Sequence, residues 1–266
     1  MRYVVDNDLH IHSKISACSG IAEQTPERIL KYAEETGLKT ICVTDHFWDS
    51  DVEGASDWYA PQDYNRIVAS KPLPQKEGIR FLFGCETELD KNLTLGISKE
   101  KYDLFDFIVI PTTHFHMDNF TLSEEEGADE HTRAAAWVKH FEAVLNMDLP
   151  FHKVGIAHLT CQLIGKNRER AEFLKTMPLI SDQDMERLFT KAAKLGVGIE
   201  LNACDMIFTD EEADIVLRPY RIAKKCGCKF YFASDGHRPA ELDRANALFN
   251  KAVDWLELTE DDKFKL

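Results

Sequence analysis

The stretch Thr40-Ile-Cys-Val-Thr-Asp-His46 decides the fold, because a short apolar run ends in an aspartate and a histidine. A helical pattern precedes it, beginning at Thr25-Pro26, where threonine can cap free amides and proline suits the first turn, and stopping at Gly37. A second apolar run, Arg80-Phe-Leu-Phe-Gly84, follows and leads to Glu86. Short apolar runs that alternate with helical patterns predict an α/β fold with a mainly parallel sheet.

The alternation continues along all 266 residues and predicts about seven strands, each followed by a helix or a loop. After a first run that leads into Asp8, the further strand runs are 80–84, 107–110, 154–157, 198–202 and 229–233. Further helices are expected through Trp137 and Leu145, from Ser181 to near Gly196, from Thr209 with Pro219 breaking or kinking it, and from about Ala240. No composition break marks a linker, so we expect one domain over residues 1–266.

Composition and charge restrict the possible partners. The formal net charge is −14, and so acidic a surface disfavours extended nucleic-acid binding but allows a small phosphorylated substrate. No apolar run approaches the roughly 20 residues that span a bilayer, and the N-terminus lacks a secretory pattern, so a cytoplasmic protein without membrane contact is expected. The seven scattered cysteines are then expected to be reduced thiols. No feature of the sequence indicates an oligomeric state.

Polar residues that can bind metal ions follow nearly every apolar run. They are His10/His12, Asp45/His46, Glu86, His114/His116, His158, Glu200/Asn202 and Asp235/His237. In a parallel α/β barrel the carboxyl ends of the strands meet at one mouth, where active sites are built. The pattern therefore predicts that residues distant in the chain form one multinuclear metal site.

Each motif alone also has an interpretation without a metal. Alternate residues of a strand face the same side, so His10 and His12 suit one cation, although a half-buried strand can also hold two histidines that merely pack. His46 would be a ligand oriented by Asp45, or Asp45 would cap a helix beside a passive histidine. Glu86 alone would be a solvated residue at a strand end, whereas among histidines it would bridge two ions.

The later motifs follow the same logic. His114 and His116 share a face, so one of them would bind metal and the other would contact substrate. His158 alone would more often be structural, and Asp235 with His237 pairs a hard oxygen with an imidazole. Random placement would not put such groups at nearly every strand end, so together they favour the metal site.

The ordered motifs resemble the PHP (polymerase and histidinol phosphatase) superfamily. The matching residues are DLHIHS at 8–13, TDH at 44–46, CE at 85–86, His114, His158 and SDGH at 234–237. The resemblance implies a distorted seven-stranded (β/α)7 TIM-like barrel with two or three divalent metal ions, zinc, manganese or iron. It also implies three ligand sets: His10, His12, Glu86 and Asp235; then Glu86, His114 and His158; then His46 and His237.

One segment departs from this family. Its members usually carry an Asp or His shortly after the H-x-H motif to complete the third site, where this chain has Ser16-Ala-Cys-Ser-Gly20. Ala17 cannot bind a metal. Cys18 is either a thiolate ligand that favours zinc or iron, or a bystander beside a weak or missing third metal.

The expected reaction is hydrolysis of a small phosphorylated metabolite by a metal-activated hydroxide, with histidinol phosphate as the specific candidate. Arg238 is the first candidate for a phosphate clamp, and Arg133 and Arg168 are weaker ones. His116 would protonate the leaving group, and the insertion 117–129 is expected to be a solvated acidic loop. The alternatives are a nuclease or nucleotide phosphodiesterase of the same family, or a non-catalytic metal-binding regulatory protein.

Overall fold

A computed structural model describes the whole chain, residues 1–266, as nine β-strands, seven α-helices and several short 3-10 turns. The strands are β1 Asn7–Ile11, β2 Thr40–Val43, β3 His46–Phe47, β4 Arg80–Phe83, β5 Cys85–Thr87, β6 Ile108–Pro111, β7 Val154–Ala157, β8 Gly198–Asn202 and β9 Lys229–Ala233. The helices are α1 Pro26–Thr36, α2 Tyr64–Ile67, α3 Glu130–Asn146, α4 Arg170–Thr176, α5 Asp182–Leu195, α6 Ala213–Lys225 and α7 Pro239–Trp255.

The strands form two parallel sheets, one ordered β1-β2-β4 and the other β3-β5-β6-β7-β8-β9. The chain changes hydrogen-bond partner at Gly84, whose N–H donates to Val43 at 2.8 Å, whereas the next N–H, of Cys85, donates to Phe107 at 3.2 Å. A Cβ at Gly84 would lie 2.4 Å from the Phe107 carbonyl oxygen, so only glycine allows this approach.

The prediction of an α/β fold with parallel strands is confirmed, but the predicted number of seven strands is not. Thr44-Asp45 separates β2 from β3 and Gly84 separates β4 from β5, so two predicted strands are each divided. Next to β1, the N–H of His12 donates to Gly236 at 3.2 Å, and the N–H of Asp235 donates to His10 at 2.8 Å. The distorted seven-stranded barrel remains a prediction.

The helix signals of the sequence are confirmed where a cap fixes the end. Thr25 accepts a hydrogen bond from the Arg28 N–H and starts α1, which Gly37 ends with φ 78°. Pro219 does not break α6, because the buried face of the helix around it packs firmly and offsets the hydrogen bond that proline cannot make. Helix α6 begins at Ala213, four residues after the predicted Thr209.

Two apolar clusters hold the strand ends in place. The larger contains 60 buried residues, and the smaller contains nine that lie on the opposite side of the strands, among them Phe107 and Tyr231 with ring centroids 5.1 Å apart. Gly155 leaves room for Tyr231, because a Cβ there would lie 2.4 Å from the tyrosine hydroxyl oxygen. All seven cysteines are free thiols. None of the helices combines the length and the apolar character that crossing a lipid bilayer requires.

Candidate metal centre

The ends of the strands bring buried imidazoles and carboxylates from distant parts of the chain into one cluster. Four groups have candidate ligand atoms that all lie within 4.8 Å of one another: His10, His12 and Glu86; His10, His158 and Glu200; Glu86, His114 and His158; and His12, Cys18, His46 and His237. The Asp235 carboxylate lies next to the histidines of the first two groups, His10, His12 and His158. The convergence expected from the sequence is therefore present as geometry.

Glu86 occupies the middle of the cluster. Its Oε2 lies 2.9 Å from His46 Nδ1 and 3.3 Å from His12 Nε2, and its Oε1 lies 3.4 Å from His158 Nε2 and 3.9 Å from His114 Nε2. Both carboxylate oxygens are buried, and neither has a hydrogen bond of good geometry. A buried carboxylate without hydrogen bonds is costly unless a cation compensates it, and imidazole and carboxylate donors suit divalent metal ions. The residues present thus fit a bridging carboxylate.

Asp235 faces Glu86 across the cluster. Its Oδ1 lies 3.2 Å from His12 Nε2 and 3.6 Å from His10 Nε2, and its Oδ2 lies 3.7 Å from His158 Nε2. Both Asp235 (φ 51°) and His158 (φ 60°) have a left-handed backbone, which few residues other than glycine adopt. Such conformations concentrate at functional sites, where the surrounding structure holds them.

Further buried carboxylates orient the histidines from behind. Glu200 lies 2.9 Å from His10 Nδ1 and also accepts hydrogen bonds from the Tyr231 hydroxyl at 3.0 Å and the Asn202 amide at 2.8 Å. An Nδ1–H that donates to such a carboxylate leaves Nε2 free to bind a cation. The sequence marked Glu200 and Asn202 as strand-end residues without assigning them this role.

Glu88 orients His114 in the same way that Glu200 orients His10, and it was not identified from the sequence. Its Oε2 lies 2.7 Å from His114 Nδ1. Burial and the charge of Glu86 raise the pKa of Glu88 well above its usual range, while burial lowers the pKa of His114 to about 4. Both shifts have burial as their main cause, and both favour the uncharged forms of the two side chains. The signal in the sequence was the spacing Glu86-x-Glu88.

The other histidines differ in charge according to whether they lie near one or both of the central carboxylates: His12 and His158 lie near both Glu86 and Asp235, whereas His46 lies near Glu86 and His237 near Asp235. Burial alone lowers a histidine pKa, and it brings the pKa of both His46 and His237 to about 4. For His12 and His158, Glu86 and Asp235 outweigh burial and raise the pKa to about 9 and about 10. The metal-free cluster thus compensates its carboxylates with imidazolium groups, which a bound cation would replace.

A cavity of about 640 Å³ opens above the cluster. His46, His114, His158 and Asp235 contribute to its floor, and its walls include Trp58, Phe120, His116 and Arg168. His116 is neutral at neutral pH, because burial lowers its pKa to about 3, and its Nδ1 has no hydrogen-bond partner. Arg168 is the arginine that lines this cavity, although the sequence ranked it below Arg238.

The other two candidate arginines, Arg238 and Arg133, lie outside this cavity. Arg133 is buried, and its guanidinium donates to the carbonyl oxygens of Phe115 at 3.3 Å, Ile164 at 3.1 Å and Gly127 at 3.2 Å. Through these bonds the Arg133 guanidinium links three loop segments to one another. Arg238 is half exposed, pairs with Glu241 at 3.5 Å and does not line the cavity. Neither arginine lines the cavity, and a phosphate contact of either one remains a prediction.

Asp45 does not orient His46. Its two carboxylate oxygens accept hydrogen bonds from the N–H and the hydroxyl of Ser13, both at 2.7 Å. The tight turn after β2 directs the carboxylate toward the loop that follows β1. Its effect on the cluster would therefore pass through that loop, and a catalytic role for Asp45 remains a prediction.

The insertion 117–129 is only partly the solvated acidic loop that the sequence predicted. Glu124 and Glu125 are exposed. Met117, Asp118 and Phe120 instead line the cavity, because the backbone turns back toward the cluster directly after His116. The start of the insertion therefore shapes the candidate site.

A family model described as PHP domain matches residues 8–204. The chain belongs to the PHP domain family. This match covers most of the chain and includes seven of the nine candidate metal ligands; Asp235 and His237 lie beyond it.

Individual proteins resemble the PHP chain over nearly its whole length. A probable phosphatase from Caldicellulosiruptor bescii is 24% identical over 238 residues, which are 89% of this chain and 82% of that protein. The structure of a histidinol phosphate phosphatase from Lactococcus lactis, in complex with zinc, L-histidinol and phosphate, has a TM-score of 0.54 at 17% identity and covers 93% of both chains. A putative histidinol phosphatase from Listeria monocytogenes has a TM-score of 0.61 at 13% identity, covering 92% of this chain and 100% of that one.

Proposed function

We propose that this PHP protein is a metal-dependent phosphoesterase that hydrolyses a small phosphorylated metabolite, with histidinol phosphate as the first substrate to test. The observation that carries the proposal is Glu86, a fully buried carboxylate whose oxygens face imidazoles on both sides and have no hydrogen-bond partner. The related probable phosphatase and the fold shared with histidinol phosphatases support the choice of reaction.

The donor groups support two or three divalent ions, zinc, manganese or iron. His10, His12, Glu86 and Asp235 would hold the first; Glu86, His114 and His158 the second; His46, His237 and Cys18 the third. Ions bound there would lower the pKa of a coordinated water and neutralise charge on phosphoryl oxygens. A distorted barrel, with its strand ends at one mouth, would explain how the donors meet.

The cavity residues would bind the substrate above these donors. The Arg168 guanidinium can donate two parallel hydrogen bonds to a phosphate, which gives both affinity and orientation. His116, being neutral, would hydrogen-bond the ester oxygen rather than deliver a stored proton, since its pKa of about 3 leaves it unprotonated near pH 7. Trp58 would exclude water on the opposite wall, where its ring lies 4.9 Å from that of His46.

A net charge of −14 and the cavity-lining carboxylates Asp57 and Asp118 disfavour a long nucleic acid as substrate. If the protein is instead a nuclease or nucleotide phosphodiesterase, its substrate would therefore be a small nucleotide. The alternative of a metal-binding protein without catalysis differs from the proposal only in turnover.

The test is a substrate panel on protein stripped of metal and reloaded with manganese or zinc. We expect turnover of phosphomonoesters, measured as released phosphate, that is lost in Glu86→Gln. Glu142→Gln, which removes a carboxylate from a surface pair with Arg187, is the matched control and should be fully active. Stoichiometric metal without turnover of any phosphomonoester or phosphodiester would identify a binding protein and refute the proposal.

A further inference from the structure

Cys18 is the one thiol among the candidate ligands of the cluster. Its Sγ belongs to the group formed with His12, His46 and His237, in which all candidate ligand atoms lie within 4.8 Å of one another. The other three groups contain only nitrogen and oxygen donors. The thiol is therefore placed by the fold within reach of three imidazoles that come from different strand ends.

Hydrogen bonds fix the loop that carries Cys18. The N–H of Ala17 donates to the Gln62 side chain at 2.9 Å, and the Ser19 hydroxyl donates to the carbonyl oxygen of His237 at 2.7 Å. The Ser16 hydroxyl lies 3.3 Å from Cys18 Sγ and accepts from the N–H of His46 at 3.4 Å. The residues on both sides of Cys18 are thus tied to the segments that carry His46 and His237, and Cys18 forms no disulfide bond.

The remaining histidine of this group is already engaged. His12 Nε2 lies 3.3 Å from Glu86 and 3.2 Å from Asp235, and its Nδ1 lies 3.2 Å from the Ser16 hydroxyl. One imidazole nitrogen binds one cation, so His12 would serve the first site. Cys18, His46 and His237 then form a set of one sulfur and two nitrogen donors with an open position, which is the composition of a catalytic rather than a structural zinc site.

We propose that Cys18 binds the third cation as a thiolate and makes this site selective for zinc over manganese. The inference rests on the metal centre of the proposed function. It concerns only Cys18, a sulfur donor in the segment where the resembling family usually carries an Asp or His. Thiolates favour zinc, whereas carboxylate and water donors suit manganese. Binding breaks the S–H bond, forms a sulfur–metal bond and releases the proton to solvent.

Cobalt titration of the metal-free protein tests the sulfur bond directly. Cobalt replaces zinc in such sites, and a thiolate ligand gives a sulfur-to-cobalt charge-transfer band in the near ultraviolet. We expect the band in the wild type and in Cys204→Ser, which removes the other exposed cysteine. We expect it to be absent in Cys18→Ser, which should keep the visible cobalt bands of the nitrogen and oxygen sites and so report that it is folded.

Metal content supplies the second measurement. Dialysed against equal zinc and manganese, the wild type should retain one more zinc ion per chain than Cys18→Ser, and Cys18→Asp should take up manganese in its place. A charge-transfer band that survives in Cys18→Ser, or its absence from a cobalt-loaded wild type, would overturn the assignment. Because these readouts do not use turnover, a phosphatase assay that fails while the band is present refutes the proposed function alone.

Discussion

At the scale of single residues, Glu88 positions His114 through a contact of 2.7 Å with its Nδ1. Glu88→Gln keeps the shape of the side chain and removes the charge that would hold Nδ1 protonated. We expect the metal affinity of the site containing His114 to fall about tenfold or more. Competition with a graded series of chelators measures this, and an affinity equal to that of wild type would show that Glu88 only fills space.

Arg168 and Arg238 make opposite predictions for phosphate binding. Arg168→Ala removes the guanidinium from the cavity, and hydrogen bonds to a charged group contribute about 1.5–3 kcal/mol, so inhibition by inorganic phosphate should weaken roughly 10- to 100-fold. Arg238→Ala removes a half-exposed side chain outside the cavity and is the matched control. A larger loss in Arg238→Ala would reinstate the choice made from sequence alone.

Asp205 lies in a second cavity that shares His158 and Asp235 with the first. Burial raises its pKa from 3.8 to about 7, so the folded protein keeps this proton over a pH range in which the unfolded chain has lost it. The folded state then binds more protons, and stability falls as the pH rises from about 4 to 7. Asn cannot ionise, so the stability advantage of Asp205→Asn should grow over this range and level off above it. Urea midpoints of both proteins in chelator, at pH 5.5 and pH 8, measure the difference, and a constant difference would contradict it.

The candidate histidine and carboxylate ligands could be predicted because they lie at the ends of apolar runs, and the carboxyl ends of parallel strands meet at one edge of a sheet. Arg168 could not be ranked from the sequence, since it lies in an irregular loop with φ 62° and no periodicity indicates where its side chain points. The occupation of Arg133 by backbone carbonyls was equally hidden, because those carbonyls belong to segments distant in the chain.

At the scale of elements, the caps determine where helices begin and end. The Ser181 hydroxyl accepts a hydrogen bond from the Asp184 N–H at 3.0 Å and starts α5. Ser181→Ala should lower the free energy of unfolding by about 1 kcal/mol. Chemical denaturation measures it, with Ser181→Thr as the control that retains the hydroxyl. Since no residue of α5 lines the cavity, activity should not change. A loss of turnover in Ser181→Ala would show that α5 also affects the candidate site.

Helix limits were predictable where a cap and a terminal glycine agree, as in α1 and α5. The pattern Thr209…Glu212 failed because the Thr209 N–H donates a hydrogen bond to the Glu212 carboxylate at 3.0 Å within a turn that precedes α6. The division of strands also escaped prediction, since Gly84 reads in the sequence as a strand end. Its neighbours in space, Val43 and Phe107, decide that the chain changes sheets there.

At the scale of the whole molecule, metal removal should destabilise the protein. The cluster joins residues from β1 through the segment after β9, and cations that bind only the folded chain stabilise it by mass action, by about 2.7 kcal/mol at a hundredfold excess over the dissociation constant. Chelation should therefore lower the unfolding temperature, and zinc or manganese should restore it. Glu86→Gln should respond far less to added metal, and an equal response would place the stabilising ion elsewhere.

The backbone at His158 and Asp235 also restricts which amino acids can replace them. With φ of 60° and 51°, both positions accept glycine, asparagine or aspartate readily and reject valine or isoleucine, whatever the neighbouring space. A saturation library selected only for folding should therefore retain few amino-acid types at these two positions. Asp235→Asn would be the most informative of these variants, because it keeps the left-handed backbone while removing the charge. It therefore separates the effect of the backbone conformation from the effect of the carboxylate.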